Sequence, residues 1–206
     1  MALTIHGVAR SRTVRTLWAA YELNLPFTHD PVGFGPEGCR SAAFLAINPN
    51  GHIPAITDDG ITMWESLAIN LYLAKKAGGP LAPASLAEDG LMTMWSFWAA
   101  NEMEPMAAQA MYHAGGLPPE KREPEKVTAA VESLKAPLAV LEAALQKGGG
   151  HLVGGRFTVA DLNLACVAFY LRNVPQALAD KPAIRAWYEA ALARPAAKRA
   201  WALRGD

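Results

Sequence analysis

Apolar and polar residues alternate from Leu3 to His6, the period of a short strand. After the loop Gly7–Arg12 the period lengthens to that of a helix, with Val14, Leu17, Trp18 and Tyr21 on one face. A second extended stretch runs near Phe27 to Val32 and gives way to a Gly- and Pro-containing loop, 33–38, which completes a β-α-β unit. Two more strands are predicted at Ile53–Ile56 and Ile61–Trp64. Between them lies Thr57-Asp58-Asp59-Gly60, and Asp-Gly flanked by apolar runs is a strong hairpin signal. Glu65 and Ser66 then open a helix whose Ile69, Tyr72 and Leu73 share a face, so the order is β-α-β, a loop, then β-β-α.

Beyond Lys76 the segment Ala77-Gly78-Gly79-Pro80-Leu81-Ala82-Pro83-Ala84-Ser85 cannot continue a helix. The chain is therefore divided into a first domain over 1–77, a linker over 78–85 and a second domain over 86–206 that reads as helical throughout. Leu91, Met94, Trp95 and Trp98 are expected on the buried face of its long first helix. Val127, Val131, Leu134, Leu138, Leu141 and Leu145 step by three and four residues and mark the buried stripe of the next. Pro105 and Pro137 are expected to kink these helices. Thr158-x-x-Asp161 has the form of a capping box, with aspartate in place of Glu or Gln, and Phe157 is placed to staple onto Leu162. Ile184, Trp187, Tyr188 and Leu192, then the segment after Pro195, carry the final helical pieces.

Nineteen basic and nineteen acidic side chains cancel, so no net field draws the chain to nucleic acid or to an anionic membrane, and a small-molecule partner fits better. The apolar fraction is 51%, and several of the six Trp and seven Met crowd between Met92 and Met111. That surplus implies either a subunit interface or an apolar pocket beyond the ordinary core. The start, MALTIHGVARSR, has no cationic leader joined to a long apolar stretch, and nothing later approaches the roughly 20 uninterrupted apolar residues of a spanning helix. Cys39 and Cys166 lie far apart and form no C-x-x-C, which argues against a disulfide scaffold and a dithiol site and for a reducing, cytoplasmic setting. The five histidines show no metal-ligand spacing, so no metal is assigned. Arg10, Arg12 and Arg15 cluster at the start of the first helix, where an anionic ligand would be favoured.

Three short motifs carry chemistry. Asn48-Pro49-Asn50-Gly51-His52-Ile53-Pro54 is either an ordinary tight turn or, with Pro54 cis, a shaped backbone that presents the amide and carbonyl of Ile53 to a bound peptide as a further strand would. Glu65-Ser66 either caps its helix or uses the unpaired N–H groups and positive end of that helix to hold a carboxylate. Phe157-Thr158-Val159-Ala160-Asp161 is a folding element, since an N-cap contributes about 1 kcal/mol and fixes where a core helix starts.

Together, and over essentially the whole chain, these motifs resemble the cytosolic glutathione transferase family, in particular its bacterial-type, serine- and theta-like members. The resemblance implies a thioredoxin-like N-terminal domain followed by an all-helical C-terminal domain. It also implies glutathione as co-substrate and a homodimer. By the same resemblance Ser66 receives the γ-glutamyl carboxylate and Glu65 its ammonium group, Ile53 and Pro54 seat the cysteinyl backbone, and His52 contacts the glycine carboxylate. Catalysis in the family rests on stabilising the glutathione thiolate, and Ser11 is the candidate donor. Counting back from Leu25-Pro26-Phe27, however, the serine-class pattern falls on Arg10, one place earlier. Ser11, Arg10 and the loop amides therefore all stand as candidates, Thr13 is a remoter hydroxyl, and Ser11 is equally a candidate cap of the helix that follows. In the helical domain Met106, Ala110 and Tyr112 are expected to line the electrophile pocket, and Asn101 and Glu102 to reach across a dimer interface.

Conjugation of glutathione to a small hydrophobic electrophile is the leading function. A glutathione-dependent peroxidase or disulfide reductase on the same fold is the first alternative, without a dithiol mechanism because no Cys stands between Val8 and Ser11. A non-catalytic, transferase-like binding module is the second.

Overall fold

The computed structural model describes residues 3–205. Its chain forms two compact units, one built from the residues up to Ala82 together with those from Ala193 onward, the other from Pro83–Leu192.

The first unit is a four-stranded sheet with helices. Strands β1 (Leu3–His6), β2 (Phe27–Asp30), β3 (Ala55–Asp58) and β4 (Ile61–Trp64) lie in the order β2-β1-β3-β4. β1 and β2 are parallel, with Ile5 opposite His29, and β3 runs antiparallel to both β1 and β4. β1 and β4 occupy their expected residues, whereas β2 stops at Asp30. β3 begins two residues later than expected because Pro54 has no N–H to contribute to a ladder, so pairing starts at Ala55 opposite His6. Asp58 pairs with Ile61 across a two-residue turn in which Asp59 and Gly60 have φ of 46° and 87°, the positive values a tight hairpin needs. The buried Asp58 also accepts from Tyr72 Oη at 2.9 Å and Lys76 Nζ at 2.6 Å, which ties the hairpin to α3 (Ser66–Ala77).

Helix α1 (Val14–Glu22) is preceded by a wide turn at Ala9–Thr13 and is buried from Val14 through Ala20. A short α2 (Ala42–Leu45) contributes Phe44 to a cluster with Cys39, Ile53 and Ala55. The last helix, α9 (Pro195–Ala202), packs on α1: Arg194 Nε donates to Glu22 Oε1 at 2.9 Å, and Trp18 Nε1 donates to Glu22 Oε2 at 3.1 Å. The sequence pattern alone placed this segment at the end of the helical region.

The second unit contains α4 (Leu86–Trp98), α5 (Glu104–Met111), α6 (Pro124–Lys147), α7 (Val159–Ala168) and α8 (Pro182–Ala193), the last ending at the border between the units. The buried face of α4 is Met92, Trp95 and Ser96, continued by Ala99 and Met103. Leu91 and Met94, expected inside, are exposed, and so is Phe97. Shifting the stripe by one residue fits the helical period equally well, and what selects it is a polar contact: Ser96 Oγ donates to Met92 O at 2.8 Å and accepts from Asn163 Nδ2 on α7 at 2.9 Å. Pro105 sits in the first turn of α5, where its missing N–H costs nothing, while α6 runs through Pro137 over 24 residues without interruption. Leu134, Leu138, Leu141 and Leu145 of α6 are buried as expected, and Val127 and Val131 are half-buried.

α7 is buried along its whole length, and the capping box at Thr158 and Asp161 fixes its start. Asp161 has no exposed surface and accepts from Thr158 N (3.0 Å), Thr158 Oγ1 (3.1 Å), Leu152 N (3.1 Å) and Trp187 Nε1 (3.0 Å). Burial pushes its carboxyl above the ordinary carboxylate range, and the four donors pull against that rise. Arg156 forks onto Glu88 at 3.0 and 2.7 Å, joining the loop before α7 to the start of α4. Among the described residues, no helix is long and apolar enough to cross a membrane.

Candidate functional site

β1 is followed by Gly7, whose φ is 130°. A Cβ at this position would lie 2.2 Å from Thr13 Oγ1 and 2.9 Å from Ile53 Cβ, so glycine is what lets the loop after β1 close against the turn before β3. In that loop Ser11 has φ −106° and ψ −169°, a break between the wide turn and the helix. Its Oγ lies 2.7 Å from Val8 O, which can only accept, so Ser11 donates there. Thr13 Oγ1 at 2.8 Å must then donate to Ser11 Oγ, and Thr13 N–H does so as well at 3.1 Å. The result is a directed chain, Thr13 O–H to Ser11 O–H to Val8 C=O, whose first member is fully buried. Arg10 and Arg12 are exposed.

The Ile53–Pro54 peptide is cis. Among the described residues nothing hydrogen-bonds the main-chain N–H or carbonyl of Ile53. The turn before it is held by buried Asn48, whose Nδ2 donates to His52 O at 2.7 Å and whose Oδ1 accepts from Asn50 N at 3.1 Å. The His52 side chain is exposed. Arg40 lies across Gly51, close enough that a Cβ there would meet Arg40 Cδ at 2.8 Å. This cation near His52 escaped the sequence reading because no spacing or motif singles it out.

Between β4 and α3, Glu65 has φ 69°, an uncommon value for a residue with a Cβ and one that clusters at ligand clamps. Ser66 begins α3 with 5% of its surface exposed, and Arg15 NH1 donates to Ser66 Oγ at 3.4 Å. Arg15 is itself 3% exposed, a cation on a helix otherwise buried among apolar side chains. In the sequence it stands only as one of three arginines clustered at a helix start where an anionic ligand is favoured. Its signal was its place between Val14 and Leu17 in an apolar run, where a charge demands a partner. Ser11 thus lies in the loop that follows β1, Ile53 and Pro54 directly precede β3, and Glu65 and Ser66 stand between β4 and α3.

In the helical unit Ala110 is fully buried, Met106 is half-buried and Tyr112, at the end of α5, is exposed. Met103, Ala107 and Ala110 belong to the packed interior. Asn101 and Glu102 are exposed. Among the described residues no group of three or more His, Cys, Asp or Glu converges as a metal site would require.

A β-α-β-β-α unit with a cis-proline turn before its third strand and a serine-started helix, together with a set of helices, defines the class of protein, and comparison with known proteins agrees. Residues 11–76 match the model of the glutathione S-transferase N-terminal domain, and residues 123–190 that of the C-terminal domain. Glutathione S-transferase F13 of Arabidopsis thaliana is 30% identical over 95% of this chain and 93% of its own. Glutathione S-transferase GstB of Escherichia coli (strain K12) is 31% identical over 96% of each. Among solved structures, the theta class glutathione S-transferase of Xanthomonas axonopodis pv. citri with glutathione bound superposes with a TM-score of 0.88 at 32% identity, covering 97% of this chain and 96% of that one. The chain belongs to the glutathione S-transferase family, whose enzyme class and fold it shares.

Proposed function

We propose that this enzyme conjugates the thiolate of glutathione to a small hydrophobic electrophile in the cytoplasm. The observation that carries the reading is the contact of buried Arg15 with Ser66 at the first turn of α3. A hydroxyl, the positive end of a helix and a guanidinium together favour a carboxylate, which suits the γ-glutamyl end of glutathione, with Glu65 taking its ammonium group. The unpaired main chain of Ile53 suits the cysteinyl residue, and His52 with Arg40 suits the glycine carboxylate. Ser11 is our thiolate donor. Its proton would pass from the Val8 carbonyl to the sulfur, and Thr13, donating into Ser11 Oγ, would make it a stronger donor. Arg10 and the loop amides add positive field. The sulfur lone pair then forms the S–C bond as the electrophile releases its leaving group or opens its strained or conjugated bond.

Met106 and Tyr112 offer accessible side chains to the electrophile, and Ala110 would shape that pocket from behind. A homodimer is supported by large apolar side chains left on the surface, namely Leu91, Met94 and Phe97 on α4 and Ile61 and Trp64 on β4. Calorimetric titration with glutathione, followed by turnover of an aryl halide, an epoxide, an enone and a hydroperoxide, tests the proposal. Absence of glutathione binding refutes it. Turnover of the hydroperoxide alone transfers the chain to the peroxidase alternative, and binding without any turnover transfers it to the non-catalytic one.

A further inference from the structure

Past the end of α7 the chain tightens into a turn, Phe169–Asn173, that docks on α5. Asn173 Nδ2 donates to Met111 O at 3.3 Å, and a Cβ on Gly115 would lie 3.2 Å from the same Nδ2, so the turn and the segment after α5 are pinned together. Arg172 is folded into this junction. Its guanidinium carbon lies 3.8 Å from the centroid of the Phe169 ring, and its Nη1 donates to Phe169 O at 3.4 Å and to Met111 Sδ at 3.8 Å. The methyl end of that thioether and the Tyr112 ring both border Gly116, where a Cβ would meet Tyr112 Cδ1 at 3.2 Å and Met111 Cε at 3.6 Å. Arg172, Met111 and Tyr112 are therefore neighbours in space, although 61 positions separate the first two in sequence. Met111 is buried, whereas Arg172 and Tyr112 are exposed.

An exposed arginine normally gives up much side-chain freedom when it grips a ligand. Here the stack on Phe169 and the two Nη1 contacts hold the guanidinium before any ligand arrives. Both contacts use one nitrogen. A guanidinium carries five N–H donors in a planar fork and a charge that persists at every working pH, so in this position it can still receive a planar anion. Beside it stand a polarizable thioether and an exposed aromatic ring, which suit an aromatic compound. A neutral hydrophobic electrophile would use the ring and the thioether and gain nothing from the cation.

We propose that Arg172 sets electrophile specificity, favouring an aromatic electrophile that carries a carboxylate, with the acid on Arg172 and the ring beside Met111 and Tyr112. This rests on the reading that Met106 and Tyr112 receive the electrophile, and it narrows the substrate from any small hydrophobic compound to an anionic aromatic one.

The test compares 4-chloro-3,5-dinitrobenzoate with 4-chloro-3,5-dinitrobenzamide, nearly equal in shape and different in charge. With either compound the glutathione sulfur forms a C–S bond, the C–Cl bond breaks, chloride leaves and the thiol proton passes to solvent. Each rate is divided by that of the uncatalysed reaction with glutathione. The wild type should then prefer the acid by roughly tenfold in kcat/KM, through a lower KM and not a higher kcat, which is the lower end for a charge-assisted hydrogen bond at an exposed site. Arg172→Gln should abolish the preference, and Arg172→Lys, which keeps the charge, should restore most of it. An acid-to-amide ratio near one in the wild type overturns the proposal whether or not the variants fold. So does an undiminished ratio in a folded Arg172→Gln enzyme. Turnover of neither compound defeats the conjugation reading and this one with it, whereas turnover of both without preference defeats this one alone.

Discussion

Ser66→Ala isolates the anchor of the proposed glutathione site. A charge-assisted hydrogen bond to a carboxylate contributes about 1.5–3 kcal/mol, which corresponds to a roughly 10- to 150-fold change in dissociation constant. Two features point to the lower end. The backbone amides at the start of α3 survive the substitution, and Arg15, 3.4 Å from the hydroxyl, keeps its charge in place. The expected loss is therefore about 10- to 30-fold. Arg15→Lys, which keeps the charge but loses the planar fork, should weaken glutathione on its own. Combined with Ser66→Ala, it should cost less than the sum of the two, because both touch the same carboxylate. Calorimetry at neutral pH on variants shown by circular dichroism to be folded provides the dissociation constants. A folded Ser66→Ala enzyme with glutathione affinity within about twofold of wild type would refute the assignment, since that difference is below what even one weak hydrogen bond contributes.

Other expectations follow from the same geometry. Glu65→Gly relieves a positive φ that Glu65→Ala retains, so the glycine variant should be the more stable of the two by about 1 kcal/mol in urea denaturation, although both bind glutathione more weakly. Ser11→Ala should raise the apparent pKa of bound glutathione, read by thiolate absorbance, with little change in affinity. An unchanged value there with a raised one in Arg10→Ala would hand the role to Arg10. Asp161→Ala strands four donors in a fully buried place and should cost about 3–5 kcal/mol in urea denaturation, while any folded fraction keeps its glutathione affinity. Glu88 is held down to about 2, chiefly by its hydrogen bonds from Arg156 and also by the amide of Ala84. Because the folded value lies below the unfolded one, the pair stabilises the protein above the ordinary glutamate range and loses that effect as pH falls toward 2. The stability difference between wild type and Glu88→Gln should therefore be constant near neutrality and shrink below about pH 4.5, as measured by denaturation across that range.

Strand residues β1 and β4, the Asp59-Gly60 turn and the start of α7 were legible because each is fixed by local chemistry: a period of two, a pair of positive φ values, or a cap that bonds its own helix. The face of α4 was not. Leu91 and Met94 are as apolar as Met92 and Trp95, and the choice between stripes was made by Asn163, 67 residues from Ser96 in sequence. Arg15 and Arg40 belong to the same category. Their positions matter through Ser66 and Gly51, and neither partner stands at a helical or strand spacing from its arginine. Ser11 is intermediate, since the sequence named the hydroxyl, but only the geometry of Val8 and Thr13 says where its proton points.

The clasp of α9 on α1 makes the first unit discontinuous, with about 110 residues of the second unit inserted before it is complete. Until Arg194 is synthesised, Glu22 lacks its guanidinium partner and the side of α1 that α9 covers is open to water. At roughly 5–20 residues per second, that interval lasts on the order of ten seconds during translation. The helical unit, whose sequence is continuous, can be finished within it, so the sheet-bearing half begins first and closes last. A fragment that ends in the 78–85 linker would lack this clasp permanently, and a deletion from the C-terminus that reached Arg194 would open the sheet-bearing half while sparing the capped helix at its neighbour's centre.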